Sequence, residues 1–352
     1  MFQELQVITR ANFLVLHRRL ALVFAPLLFL QALTGGALLF KQPLGRLLDP
    51  SGTTRQSAHG AAPLSALCAN AARPFRGYRV TRIYYPETAS DVVFAQLSSA
   101  AGTMRYASLD PGSAAVLAAG PIWRFPIEAA LQLHYRLLNG RTGLAIVLAN
   151  ALALALLAST GLGNWWPGRG RLAKSLAIRS AAPGRIRLRQ WHRSIGVALS
   201  LVLLFSAITG VLLNIPDLIA RAPPTANVPP SARAGQIDQA FNRAMAEFPQ
   251  ATIRDVRFPE ADRIDVNFRA PRHNTLAVDI VSVKLSDGAL LKRLPAESNP
   301  VLWMKVLPLH SGTALGLPGQ IVLLMGGVAL MILALTGPVM WWHARRPKRK
   351  RS

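Results

Sequence analysis

Four stretches without a charged residue, at positions 20–40, 143–166, 195–216 and 318–342, constrain this chain more than any other feature. Each is 21 to 25 residues long. At about 1.5 Å per residue, a helix of that length crosses a hydrocarbon layer roughly 30 Å thick with its backbone groups satisfied internally. The first run is too long for the apolar part of a secretory signal, and similar runs recur mid-chain, where no signal can sit. The prediction is an α-helical membrane protein with four transmembrane helices. With 51% apolar and only 16% charged residues among 352, intrinsic disorder is excluded and an ordinary soluble enzyme fits poorly.

Charge placement gives the orientation. The net charge is +24, which by itself would suggest a nucleic-acid partner. Sixteen basic residues and one acid, Glu4, fall in the first nineteen residues, the segment 167–190 and the tail after Trp342. By the positive-inside rule those three regions face the cytoplasm, so the basic excess is mostly topological and no nucleic-acid partner is expected. The long connections then lie outside. Trp165–Trp166 and Trp341–Trp342 fit an aromatic belt at the inner interface. Cys68 is the single cysteine, which excludes an intramolecular disulfide, a cysteine-rich metal site and covalently attached c-type haem.

Internal comparison shows a tandem duplication. LHRRL around His17 matches WHRSIG around His192, and Thr34-Gly35 matches Thr209-Gly210, each 175 positions apart. His134 matches His310, Thr160-Gly161 matches Thr336-Gly337, and the Trp pairs match, all 176 apart. Tyr85-Pro86-Glu87 matches Phe258-Pro259-Glu260 at 173, and Asp110-Pro111-Gly112 resembles Ser286-Asp287-Gly288. Each half therefore reads as helix, outer module, helix, with pseudo-twofold symmetry between halves.

The expected organisation is an N-terminus and first helix at 1–41, an outer module at 42–126, and an interfacial segment with the second helix at 127–166. A basic loop at 167–190, a third helix at 191–216 and a second module at 217–303 follow. An interfacial segment with the fourth helix (304–342) and a basic tail (343–352) complete it. In the first module a helix at Leu64–Ala72 precedes strands at 78–85, 92–97 and Met104–Leu109. In the second, an amphipathic helix at 237–248 precedes strands at 252–258, 263–268 and 276–283, so each module reads as a helix on three strands. The Pro-rich stretch 223–230 reads as a linker.

The two His-Arg helix starts, the TG pairs, the WW endings and the paired α+β modules resemble the PepSY-associated transmembrane protein family over nearly the whole chain. That family includes inner-membrane reductases of ferric siderophores in Gram-negative bacteria and is associated with b-type haem. The resemblance implies an inner-membrane oxidoreductase with a ferric siderophore as substrate.

The histidines support this on their own chemistry. His17 and His192 begin outward-running helices, so both fall near the inner face. His134 and His310 precede inward-running helices, so both fall near the outer face. A rotational axis normal to the membrane would turn each pair inward, and two facing imidazoles supply the axial positions of one haem without thioether links. The expectation is two non-covalent bis-His haem b groups, one per leaflet. Topology forbids gathering all four for a zinc site, although imidazole suits zinc too. Gly35, Gly161, Gly210 and Gly337 lie at the levels where a haem needs clearance; close packing of helices is the competing reason for them. Arg18 and Arg193 are candidate propionate contacts or plain positive-inside charges. Arg124 and Arg136 are candidates for attracting an anionic chelate.

His134 and His310 precede their apolar runs, which suggests short interfacial helices, with Pro318 marking the break in the second half and Gly140 and Gly143 in the first. His59 and His273 read as surface residues and His343 as an interfacial one. No nucleotide-binding motif is present, so electrons must come from a separate donor, a quinol or a cytoplasmic reductase. Two other readings remain: a non-catalytic PepSY-type binding or regulatory protein with structural histidines, and an electron-transfer subunit serving a separate reductase.

Overall fold

The computed structural model describes residues 10–49, 54–55, 60–88, 91–219 and 233–345. The Pro-rich stretch 223–230, His59, Glu4 and most of the basic tail lie outside the described residues. The chain divides into two compact units, one drawn from 1–39, 130–219 and 309–352, the other from 40–129 and 220–308.

The first unit is helical. It contains α1 (Arg10–Leu39), α5 (Gly140–Trp165), α7 (Gly184–Ile219) and α10 (Gly316–Arg345). All four are long and apolar enough to cross a membrane. Each of α1 and α7 packs against both α5 and α10, so α1 and α7 stand diagonally across a four-helix ring. Small or polar buried residues such as Ala32, Ala153, Ala207 and Ala329 line the seams, and large apolar residues such as Val23, Leu201 and Leu335 face outward. A membrane protein has this outward apolar surface because lipid, unlike water, does not penalise it.

The helices exceed the charge-free runs. His17 lies well inside α1, and α7 starts at Gly184 and runs to Ile219, past both ends of the 191–216 expected for it. Hydropathy finds only the part that needs hydrocarbon; a helix continues into the interface while its side chains can reach water. Within the segment expected to be a loop, α6 (Leu172–Leu176) is a further short helix.

The second unit is built on one antiparallel sheet in the order β4-β3-β2-β1-β5-β6-β7-β8. The first half supplies β1 (Tyr78–Tyr84), β2 (Val93–Ser99), β3 (Met104–Leu109) and β4 (Val116–Gly120). The second supplies β5 (Ile253–Glu260), β6 (Arg263–Arg269), β7 (Val278–Lys284) and β8 (Leu290–Leu294). The expectation of three strands per module is corrected to four, and the two sets form a single sheet through β1 and β5. The outermost strands were missed because VLAAG and LLKRL are five residues long and lack clear alternation. Lys292 and Arg293 on β8 put charge at a sheet edge, where it discourages further pairing.

One face of the sheet is covered by α3 (Leu64–Ala72) and α8 (Ala234–Met245). Leu64, Leu67 and Ala71 lie at helical spacing on α3, and Ala240 and Ala244 on α8; all five are buried against Ile83, Val256 and Val266. The two helices are tied by Asp238, which accepts from the Ser65 backbone N–H at 2.9 Å and from Ser65 Oγ at 2.5 Å. Lys41–Leu48 forms α2, Pro126–Arg136 forms α4, and Leu302–His310 forms α9.

Candidate functional site

His134 and His310 sit in the last turns of the short helices α4 and α9. After α4 the chain reverses through Leu137 and Leu138, both left-handed with φ of 49° and 58°. After α9 it turns at Gly312, where φ is 75°. The following helix passes close by each turn: a methyl group at Gly143 would lie 1.7 Å from the Arg136 carbonyl oxygen, and one at Gly319 would lie 2.3 Å from that of Gly312. Gly143 and Gly319 lie 176 positions apart, and each lets its helix pass close to the turn before it. The break assigned to Pro318 is corrected to Ser311–Leu315, since Pro318 lies in the first turn of α10, where its missing N–H costs nothing.

Each of the four matched histidines ends on the threonine of a TG pair. His17 Nδ1 is 3.1 Å from Thr160 Oγ1, and His192 Nδ1 is 2.7 Å from Thr336 Oγ1. His134 Nδ1 is 3.2 Å from Thr34 Oγ1, and His310 Nδ1 is 2.9 Å from Thr209 Oγ1. In every contact both residues come from the same half of the duplication.

These contacts favour one ring nitrogen as the carrier of the proton. The threonines already donate their single hydroxyl proton to the carbonyl one turn back: Leu30, Leu156, Phe205 and Ile332 accept at 2.7, 2.6, 2.8 and 2.8 Å. Toward the imidazole each hydroxyl can therefore only accept. His134 Nδ1 also donates to the Gln31 carbonyl at 3.1 Å, and His17 and His310 meet the Leu157 and Ser206 carbonyls, which have no proton to give. The Gln31 carbonyl calls for the proton on Nδ1 of His134, and the threonine contacts favour the same tautomer in the other rings, which leaves Nε2 with a lone pair.

The TG glycines lie beside the same rings. A methyl group would sit 2.8 Å from His134 Cε1 at Gly35, 3.4 Å from His17 Cε1 at Gly161, 3.5 Å from His310 Cε1 at Gly210 and 3.8 Å from His192 Cε1 at Gly337. The first contact these glycines provide room for is thus the imidazole itself. Sequence reading assigns the glycines to haem clearance and gives the threonines no part. A Thr matched at the histidine's level on the neighbouring helix was the signal that could have found them.

Across the halves, the His134 and His310 rings meet with centroids 6.2 Å apart and planes at 44°. His17 and His192 are close enough to interact electrostatically. Seventeen residues of α1 separate His17 from Thr34, which puts the two levels about 26 Å apart along the helix. His134 and His310 lie outside the four candidate spans, and burial pushes both imidazoles below their ordinary value, His310 to about 4. They are neutral at physiological pH, as a ligating nitrogen must be.

Other predicted residues are placed as follows. Arg18 is exposed beside His17. Arg193 is half-buried and donates to the Ala177 carbonyl at 3.3 Å, while its Nε is buried without a partner. Arg136 stacks over Tyr135 at 4.5 Å, again with a buried, unpartnered Nε. Tyr135 in turn donates to Asp217. Arg124 is engaged with Asp49 at 2.5 Å. His273 is exposed, and His343 is half-buried with Nδ1 unpartnered.

The sequence model of the family described as the PepSY-associated TM region matches residues 14–344. The chain belongs to that family. No curated relative matches the chain. For this PepSY-associated membrane protein, the matched region takes in all four histidines and all four TG pairs. Among the described residues no three His, Cys, Asp or Glu side chains group as a metal cage. The donor set at the His134/His310 level is two neutral imidazoles, short of the four protein ligands of a structural zinc and equal to the two axial places of a haem.

Proposed function

We propose that this is a b-type dihaem oxidoreductase of the bacterial inner membrane. It moves electrons across the bilayer and reduces ferric siderophores in the periplasm, releasing Fe(II). The observation that carries the reading is the His134–His310 geometry. The two rings meet with centroids 6.2 Å apart, a spacing that would leave room for one metal ion between them. A haem iron at each level would supply reversible one-electron chemistry, which suits a ferric chelate because Fe(III) needs one electron and no atom transfer to become Fe(II).

The residues of the chain do the holding and tuning. His17 with His192, and His134 with His310, present Nε2 lone pairs. The threonines and carbonyls that accept from Nδ1–H orient each ring and raise its basicity, as outer-shell partners of ligating histidines do. The buried, unpartnered Nε of Arg193 suits a propionate, and Arg18 follows His17 as Arg193 follows His192. The concentration of basic residues at 167–190 supports a cytoplasmic side for the His17/His192 level, where electrons from a separate donor would enter.

Pseudo-twofold symmetry belongs to this reading. Residues at equivalent places in the two halves meet each other, as at an isologous interface. In the helical unit His134 meets His310. In the sheet unit Ile83 pairs with Val256, Arg82 bonds Asp255, and Ser65 bonds Asp238.

The test is proteoliposomes with reductant sealed inside, ferric siderophores of the hydroxamate and carboxylate types outside, and an impermeant Fe(II) dye as readout. Wild-type protein should generate external Fe(II), and His17→Ala and His134→Ala should each abolish it. Unchanged Fe(II) production in both variants would overturn the reading.

A further inference from the structure

The sheet unit holds a second concentration of chemistry-bearing side chains that the histidine levels do not use. Where β1 and β5 pair, Arg82 stands opposite Arg257 and Tyr84 opposite Asp255. Asp255 is fully buried, and its Oδ1 alone accepts from Arg82 Nε at 2.9 Å, Arg257 Nε at 2.9 Å and Asn267 Nδ2 at 2.8 Å. A third guanidinium, Arg254, lies with Nε 3.7 Å from Oδ2, which itself accepts no hydrogen bond. Two aromatic rings flank the group: Arg82 lies 4.2 Å over Tyr84, and Arg254 lies 5.1 Å over Trp303.

The charges do not balance. Three guanidiniums face one carboxylate, and counting Glu128, which also acts on Arg82 and Tyr84, still leaves a positive excess. Arg254 is the least compensated of the three. Its side chain is 24% exposed, and its Nη1 is buried with no acceptor. Burial, with the Arg82 and Arg257 charges, outweighs the nearby Asp255 and pulls this guanidinium below its usual range. A joint between two strands needs one cation per carboxylate, whereas a buried donor without an acceptor is rare in native proteins and calls for a partner. Arginine forks flanked by aromatic rings take planar oxyanions.

We propose that Arg254, with Arg82 and Arg257, forms a binding site for a small carboxylate-bearing anion. Resting on the reading above, that anion is a polycarboxylate ferric chelate rather than a neutral one. Gallium(III) citrate is the probe, because gallium stays trivalent and binding is then read without any electron transfer.

Calorimetric titration of the full-length protein in detergent should show saturable gallium citrate binding, weakened at least about tenfold by Arg254→Gln and less by Arg254→Lys. If Arg254→Gln does not fold, wild-type protein alone still tests the idea: raising NaCl from about 50 to 500 mM should weaken gallium citrate several-fold and leave a neutral gallium trihydroxamate unaffected. Equal binding by wild type and Arg254→Gln, salt-independent gallium citrate binding, or equal competition by inorganic phosphate would each overturn the proposal. Salt-sensitive, Arg254-dependent binding by a protein that holds no haem would sustain it while sinking the redox reading. Reduction of a neutral ferric chelate with no gallium citrate binding would do the reverse.

Discussion

Around the imidazoles the two halves of the chain agree in their histidines, threonines and glycines. Thr34, Thr160, Thr209 and Thr336 each accept from one Nδ1, and each is followed by the glycine that clears the same ring. Across β1 and β5 they agree on one face only. Ile83 and Val256 are both fully buried under the helices, while on the other face Arg82 has Asp255 as its equivalent and Tyr84 has Arg257. A device assembled from both halves at once keeps both copies alike, because changing either member disables the pair. A face that meets one ligand from one direction is free to let its copies diverge. The helical unit reads as the first kind and the Arg82–Asp255 face of the sheet as the second.

The sharpest way to break the comparison is to fill a glycine. At Gly35 even a methyl group would fall 2.8 Å from His134 Cε1, so Gly35→Leu should displace the ring and remove about half of the bound haem. Gly337→Ala, with its methyl group at 3.8 Å from His192 Cε1, should leave the haem content intact. A pyridine haemochrome assay compares the two; equal haem in both would deny that the glycines serve the rings.

A smaller effect is expected from the threonines. Thr34→Val keeps the shape and removes the Nδ1 acceptor, and loss of an outer-shell partner typically costs 10- to 100-fold in affinity. Haem transfer to an apo-globin acceptor should quicken accordingly in Thr34→Val and in Thr209→Val alike. Unequal effects would mean the halves do not share the site, and no effect would reduce the threonines to helix packing.

The sheet unit should answer to acid instead. Burial raises the Asp255 carboxyl, but Arg82 and Arg257 outweigh it and hold the group at about 2. With the folded value below the unfolded one of about 4, the carboxylate contributes in full above about pH 5 and loses roughly 2–3 kcal/mol as pH falls toward 2. Hydrogen exchange of the central strand amides should show that decline in wild type and a flatter one in Asp255→Asn. Parallel slopes would remove the arginines from the account.

Much of this was legible in the sequence because its signals are local or periodic. The four spans needed only hydropathy, Leu64–Ala72 and Met104–Leu109 emerged with the bounds that the structure has, and the matched histidines needed only an offset. What escaped depends on residues far apart in the chain. The β1–β5 pairing joins positions 171 to 175 apart, and no local alternation specifies it. The Thr34–His134 bond spans 100 residues, and a threonine beside a glycine in a membrane helix looks the same whether it packs or accepts. The arginine cluster was hidden for the same reason: Arg82 and Arg254 are unremarkable in their own strands, and the sequence pointed instead to Arg124, which Asp49 already occupies.

The most direct measurement is the haem-to-protein ratio of the purified chain after haem-sufficient expression, with its low-spin Soret spectrum, repeated for His17→Ala and His134→Ala. The account requires two haems per chain, falling to about one in each variant. A purified chain with no Soret band, or one whose haem content ignores both substitutions, would contradict it.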